Sequence, residues 1–366
     1  MTPGIGTPVV VPSALASVDE SPDGSRHAIV LVKSLPIAVA LWLIALPVAA
    51  HHSSAIFDRE RDLRLEGVIT KFEWANPHVY LHVETRNDAG ESVVWVIEAG
   101  APGFMTRLGW SARSLAPGDR VIVAANPAKN PDRKMALGSF VLKGDGTLLS
   151  IRGSSIPPAL AAEDPPTPLI ANNLSGRWLT RWNPDVPLFQ PRQSWPLTTR
   201  GRIAMEQSDA SGDPSGECIP QTVPLLMAWP DVKSIEVGEK VTVIRYERDG
   251  ERTVYMNVAS HQGALPSHQG HSIGRWEGNV LVVDTTHFAA HRNGHGWGLP
   301  SGQQKHLVER FELNPTRTAF RYTFQIDDSE YLVRSVTGTL EFIYRPDLPM
   351  VIVPCDPDVA RRGFEK

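Results

Sequence analysis

The stretch GHSIGRWEGNVLVVDTTHF, Gly270–Phe288, decides the fold class. Glu277-Gly278 is a two-residue turn signal, and the residues on either side, His271–Trp276 and Asn279–Phe288, read as the strands of a hairpin. The same pattern repeats outward. Asp249-Gly250 separates Lys240–Arg248 from Glu251–Val258, and Asn314-Pro315-Thr316 separates His306–Leu313 from Thr318–Ile326. Tyr331–Tyr344 and Val351–Cys355 follow as further strands, while Ser175–Trp182 and Gly201–Gln207 precede. Period two dominates, with no long amphipathic helix and no internal repeat. About eight to ten antiparallel strands can close into an up-and-down barrel with room for one small ligand.

Upstream, Gly153–Asn173 carries Pro157-Pro158 and Pro165-Pro166-Thr167-Pro168, which suits neither helix nor central strand. It reads as a linker. Before it, the expected strands are Leu63–Trp74, His78–Arg86, Ser92–Ala99, Asp119–Ala125 and Met135–Leu142, with a short helix at Pro102–Leu108. Five strands with a helix between the third and fourth is the order of an OB-type barrel. The whole chain is therefore expected to be mainly β, an OB-like barrel followed by a larger antiparallel lipocalin-like barrel. Its expected segments are a leader at 1–50, the OB-like domain at 51–152, the linker at 153–173 and the large barrel at 174–366.

The leader reading comes from the apolar run Leu35–Val48 behind Lys33, which ends in the small residues Val48-Ala49-Ala50. That is the layout of a signal peptide, and Lys33 and His51-His52 bound the run too tightly for a membrane span. Cleavage after Ala50 would make His51 the amino terminus and place the protein in the periplasm or outside the cell, with no membrane anchor left. Two cysteines, Cys218 and Cys355, are then expected to pair in an oxidising compartment. The net charge of −4 and the dispersal of Lys and Arg speak against nucleic acid as a partner. Gly-x-Ser-x-Gly, His-Glu-x-x-His, Cys-x-x-Cys and phosphate-binding glycine loops are missing, so common hydrolase, nucleotide and thiol-redox chemistries lack their usual support.

Ala50–Ser53 with Asn76-Pro77-His78, and Gly270–Gly278 with His306–Phe311, are the two places where the chain resembles a group of uncharacterised exported bacterial proteins. The first signature is Ala-His-His-Ser followed by an Asn-Pro-His strand. The second is Gly-His-Ser-Ile-Gly-Arg-Trp-Glu-Gly followed by His-x-x-Glu-Arg-Phe. The resemblance implies a fold and a compartment and brings no activity with it. Separately, Leu174–Trp178 looks like the Gly-x-Trp start of lipocalin-type barrels.

Seven of the twelve histidines fall between His261 and His306, and imidazole is the commonest protein ligand for zinc and copper. His268, His271, His287, His291 and His295 are the metal candidates there. His51 with His78 is a second candidate, through the free amine that cleavage would create. Alternation supplies the catalytic candidates. Leu307, Glu309, Phe311 and Leu313 share a strand face, so Glu309 stands on an apolar one and requires a partner such as His271 or an arginine. Arg275, Arg310 and Arg321 are the neutralising neighbours if the pair is only structural. Asp284, between Val282 and Thr286, has the same character, and His271 and His306 are the companion acid–base groups. Arg275, Trp276, Phe311 and Tyr322 are the expected ligand contacts.

Three functions follow as expectations. The large barrel binds a small, largely apolar molecule. Alternatively it is an enzyme of hydratase, isomerase or lyase type working through carboxylate and histidine, or the protein carries copper or zinc.

Overall fold

The computed structural model describes residues 56–151, 167–181, 183–208, 213–248 and 250–363. The leader, its cleavage site, His51 and most of the Pro-rich linker lie outside the described residues.

The chain is mainly β and contains two closed barrels. The first is made of β1 (Leu63–Glu73), β2 (Tyr80–Arg86), β3 (Ser92–Glu98), β4 (Arg120–Pro127) and β5 (Met135–Lys143). β1 pairs with both β2 and β4, and a parallel β3–β5 contact closes the ring. This is the expected OB-like order. β4 shows why it folds this way, since Val121, Val123 and Ala125 alternate inward on a strand whose other face is wetter. The helix α1 (Pro102–Arg107) sends the fully buried Met105 into the same core as Leu81, Val83 and Ile97. A short β6 (Leu148–Ser150) extends the sheet beyond β5.

The second barrel has nine strands. β7 (Gly176–Thr180), β8 (Val232–Val237), β9 (Val241–Tyr246) and β10 (Gly250–Met256) run as an antiparallel meander. β11 (His271–Glu277), β12 (Val280–Thr286), β15 (His306–Leu313), β16 (Ala319–Asp327) and β17 (Val336–Tyr344) form another, and β17 closes onto β7. The hairpin β13 (His291–Gly296) and β14 (Leu299–Ser301) stands apart between β12 and β15. Strands in a ring cannot alternate direction all the way round when their number is odd. One neighbouring pair must be parallel, and it is β10–β11. Parallel neighbours cannot be joined by a tight turn. Residues 257–270 therefore travel back along the barrel before β11 begins.

Several expectations give way here. The lipocalin-like ring is not wholly antiparallel, for the parity reason just given. Gly201–Gln207 is no strand but part of helix α2 (Thr199–Glu206), because Thr198 caps it through Gly201 N at 3.0 Å and Ala, Met and Glu favour helix over sheet. Val351–Cys355 makes a single bridge, Asn76 to Cys355, in place of a strand. The glycine-rich segment around Gly294–Gly298 forms a hairpin. Ala171, near the end of the 153–173 segment, and Leu174, at the start of the large barrel segment, are both buried in the large core.

Inward positions of the large barrel are filled by side chains. Trp178, Ile244, Val254, Phe311, Phe320, Tyr322 and Phe342 are all essentially inaccessible. Phe320 and Phe342 stack at 4.5 Å between centroids. Cys218 and Cys355 form the expected disulfide across 137 residues of sequence. The Arg107 guanidinium on α1 of the small barrel reaches the large one, donating to Glu247 Oε2 at 2.7 Å just after β9.

Candidate functional site

Two groups of polar side chains occupy opposite faces of the same barrel wall. The inner group centres on Glu309, which the alternation of β15 points inward between Leu307 and Phe311. Arg252 of β10 grips it bidentately, donating from Nη1 to Oε1 at 3.0 Å and from Nη2 to Oε2. The Tyr322 hydroxyl donates to Glu309 Oε1 at 2.7 Å, Arg252 Nε donates to Ser272 Oγ at 2.9 Å, and Nη2 also donates to Thr285 Oγ1 at 2.7 Å. Arg252 and Glu309 side chains are 1% and 0% exposed, so both carboxylate oxygens are spent without reaching solvent. Burial depresses the guanidinium pKa, and the adjacent carboxylate more than reverses it, leaving it raised. Burial and then Glu309 raise the Tyr322 hydroxyl well above its usual range. This is the geometry of a structural pair. The expected arginines Arg275, Arg310 and Arg321 are not its partners, since Arg275 and Arg310 bind Glu277 on the outer face at 2.6 and 2.8 Å.

The outer group lies where β11, β12 and β15 run side by side. Register sets His271 opposite Thr286 and Ile273 opposite Asp284, so odd-numbered positions of β11 and even-numbered ones of β12 face out. The returning segment 257–270 crosses this face and lays His261 on it. Gly270 is required where that segment enters β11, with φ +69° and only 2.7 Å between a built Cβ and Thr286 O. Asp284 then bridges two imidazoles, with His261 Nε2 3.1 Å from Oδ1 and His306 Nε2 3.1 Å from Oδ2. His261 Nδ1 stands 2.8 Å from His271 Nδ1. The hydrogen bond to Asp284 places a proton on His261 Nε2, so in the neutral ring Nδ1 accepts and His271 Nδ1 donates. The chain of contacts runs His271, His261, Asp284, His306.

Tyr255 stacks on His271 at 5.0 Å, and the His287 ring lies 5.9 Å from His261 and 6.5 Å from His271. His287 itself has φ +55°, a left-handed turn that a histidine adopts at some cost. The hydrogen bond from His306 holds the Asp284 carboxyl below the usual carboxylate range. Reciprocally, Asp284 raises the His306 imidazole. Burial, then the neighbouring His261 and His287, push His271 down. The group is half open to solvent, with Asp284 28% and His306 39% exposed.

Three of the four candidate catalytic residues, Asp284, His271 and His306, thus come together, and Glu309 lies across the wall from them. The four expected ligand contacts separate as well. Phe311 and Tyr322 are inside and buried, whereas Arg275 is on the outer face and exposed, and Trp276, on the opposite face of β11 near its end, is exposed as well.

The metal candidates among the described residues divide into four places, the first being the outer group, which holds His271 and His287. His268 packs edge-on to His291 at 5.3 Å, and His291 is spent on Pro220 O and Asn293 N. His295 is fully buried against Asp328 at 2.9 Å. His78 is in the small barrel, with Nδ1 3.2 Å from Ala99 O. Among the described residues no three His, Cys, Asp or Glu side chains already stand at metal-binding distances around one point.

Residues 40–136 match DUF6152, a family of unknown function. The match takes in the Asn76-Pro77-His78 signature of the small barrel and stops at the start of β5, so the outer histidine group lies beyond it. No curated protein and no solved structure matches the chain.

Besides Ser272, Thr285 and Tyr255, the charged Arg252 and the imidazole His261 stand outside the sequence-based candidates. Arg252 has a legible signal, since Arg252, Val254 and Met256 alternate on β10 and place a charge on an apolar face, as Glu309 does on β15. His261 has none, because its position depends on the return path of 257–270.

Proposed function

We propose that the outer wall of the large barrel carries a proton-transfer centre, with Asp284 and His306 as its acid–base pair and His261 and His271 as the groups that pass a proton to or from it. The bridging of His261 and His306 by one carboxylate is the observation that carries this reading. A carboxylate whose pKa is lowered beside an imidazole whose pKa is raised offers a base and an acid a few ångströms apart, as hydration, isomerisation and elimination require. The exposure of the pair leaves room for a small substrate at the wall. Export into an oxidising compartment belongs to the same proposal and is supported by the Cys218–Cys355 bridge.

A nitrobenzisoxazole, whose ring opens when a carbon-bound proton is removed, is the probe. The protein should accelerate its opening, and Asp284→Asn should abolish the acceleration while lowering the His306 titration midpoint seen by NMR. Equal rates for the protein and for Asp284→Asn would end the reading.

A second reading, binding of a small amphiphile, is favoured by a cavity of about 400 Å³ at the end of the barrel where β15 turns into β16. Leu313, Phe320 and Leu340 give it apolar wall, and Arg181, Arg321 and Glu341 give it charge.

A further inference from the structure

We propose that His261, His271 and His287 bind one divalent transition-metal ion, zinc or copper(II), on the outer wall of the large barrel. The inference rests on the reading of this wall as the functional centre; the ion takes over the contact between His261 and His271, so in the loaded protein the Asp284–His306 pair works without that relay.

Two imidazole nitrogens already face each other, His261 Nδ1 and His271 Nδ1, at 2.8 Å. Ligand nitrogens at about 2.05 Å from a tetrahedral ion stand roughly 3.3 Å apart, so the pair needs to open by about half an ångström. The three ring centroids are 5.1, 5.9 and 6.5 Å from one another. Imidazoles sharing one tetrahedral ion have centroids roughly 5 Å apart, so His287 must move in by about an ångström. Its Nδ1 is held by Thr286 Oγ1 at 2.9 Å, which leaves Nε2 as the ligand atom.

The surroundings fit such an ion. Asp284 holds His261 through Nε2, on the side of the ring away from His271, and a carboxylate behind a histidine is the usual support of a metal ligand. His271 stands on a strand and His287 directly follows one, so two of the three ligands have rigid backbones. A set of imidazoles without thiolate or carboxylate suits zinc and copper(II) and is poor for calcium or magnesium. Proton balance is simple. The ion takes the place of the hydrogen between the two Nδ1 atoms, that hydrogen moves to His271 Nε2, and the neutral rings bind with no net proton released.

The test is calorimetric titration of the chelator-stripped full chain with zinc alone, together with electron paramagnetic resonance of the copper(II)-loaded chain. One ion per chain is expected, with the copper spectrum split by several ring nitrogens. His261→Ala, His271→Ala and His287→Ala should each weaken zinc binding by about 100-fold or more, and Asp284→Asn by roughly 10- to 100-fold. His268→Ala should leave it unchanged. Folding of each variant is checked by circular dichroism, and the copper spectrum of the unaltered chain tests the ligand set without any substitution. Zinc affinity that survives His261→Ala and His271→Ala, or a copper spectrum without nitrogen splitting, overturns the proposal. If zinc fails to bind while Asp284→Asn still abolishes proton removal, the metal falls and the acid–base reading stands. Stoichiometric zinc on a protein that never accelerates proton removal keeps the metal and removes the acid–base reading.

Discussion

Glu309→Gln is the substitution that separates a working carboxylate from a structural one. Gln keeps the shape and can still accept from the Tyr322 hydroxyl, but it leaves the Arg252 guanidinium ionised, 1% exposed and without its anion. Breaking one partner of a buried ion pair costs about 3–5 kcal/mol, because the remaining charge has lost its compensation and cannot reach water. In a domain of this size each kcal/mol moves the melting temperature by about 2–4 °C, which gives a fall of roughly 6–20 °C. Urea denaturation followed by tryptophan fluorescence should show a lower midpoint with an unchanged slope. Replacing both charges, as in Arg252→Met with Glu309→Leu, should recover most of the loss, since neither charge is then left alone. A Glu309→Gln protein as stable as the original would refute the reasoning, and would return Glu309 to the functional groups.

Two further outcomes follow from buried groups. Burial pushes His291 and His295 each down to about 4 from the usual 6.5, so both stay neutral in the fold while the unfolded chain takes up protons. The unfolded state then binds more protons between pH 6.5 and 4, and stability should be full above pH 6.5 and fall by up to roughly 3 kcal/mol per histidine as pH drops through that window. Denaturation midpoints flat from pH 7 to 4.5 would contradict this. Thiol titration of the denatured, unreduced chain should find no free thiol, and reduction should lower stability by about 4–5 kcal/mol on the chain-entropy account of a loop of 137 residues.

Much of the strand pattern is legible in the sequence because burial on a sheet has period two. Alternation locates β1, β4, β12, β15 and β16 within a residue or two, and puts Glu309 inside. β8 escapes it, since Val-Lys-Ser-Ile-Glu-Val turns Lys233 inward, where Nζ donates to Thr180 Oγ1 and to the carbonyls of Trp229 and Asp231. A charged residue on the core face erases the pattern that marks a strand. The alternation of β12 also tells that Asp284 shares a face with Val282 and Thr286, but not that this face is the outer one. That depends on which strands flank β12 and on what crosses them. Asp284, His271 and His306 are therefore legible as companions of one another, while their separation from Glu309 is not. The long-range partners, Arg252 for Glu309 and His261 for Asp284, come from elements 57 and 23 residues away.

The parallel seam has a consequence for how such a barrel can arise and vary. Duplicating or deleting a hairpin changes the strand number by two and keeps it odd, so the seam and its returning segment survive every change of that kind. Gain or loss of a single strand makes the ring even, lets every neighbour run antiparallel, and removes the need for a segment that crosses the outer face. His261 rides on that segment. Descendants that had shed or added one strand would therefore be expected to lose the histidine group in the same step, and those that had traded whole hairpins elsewhere in the ring could keep it.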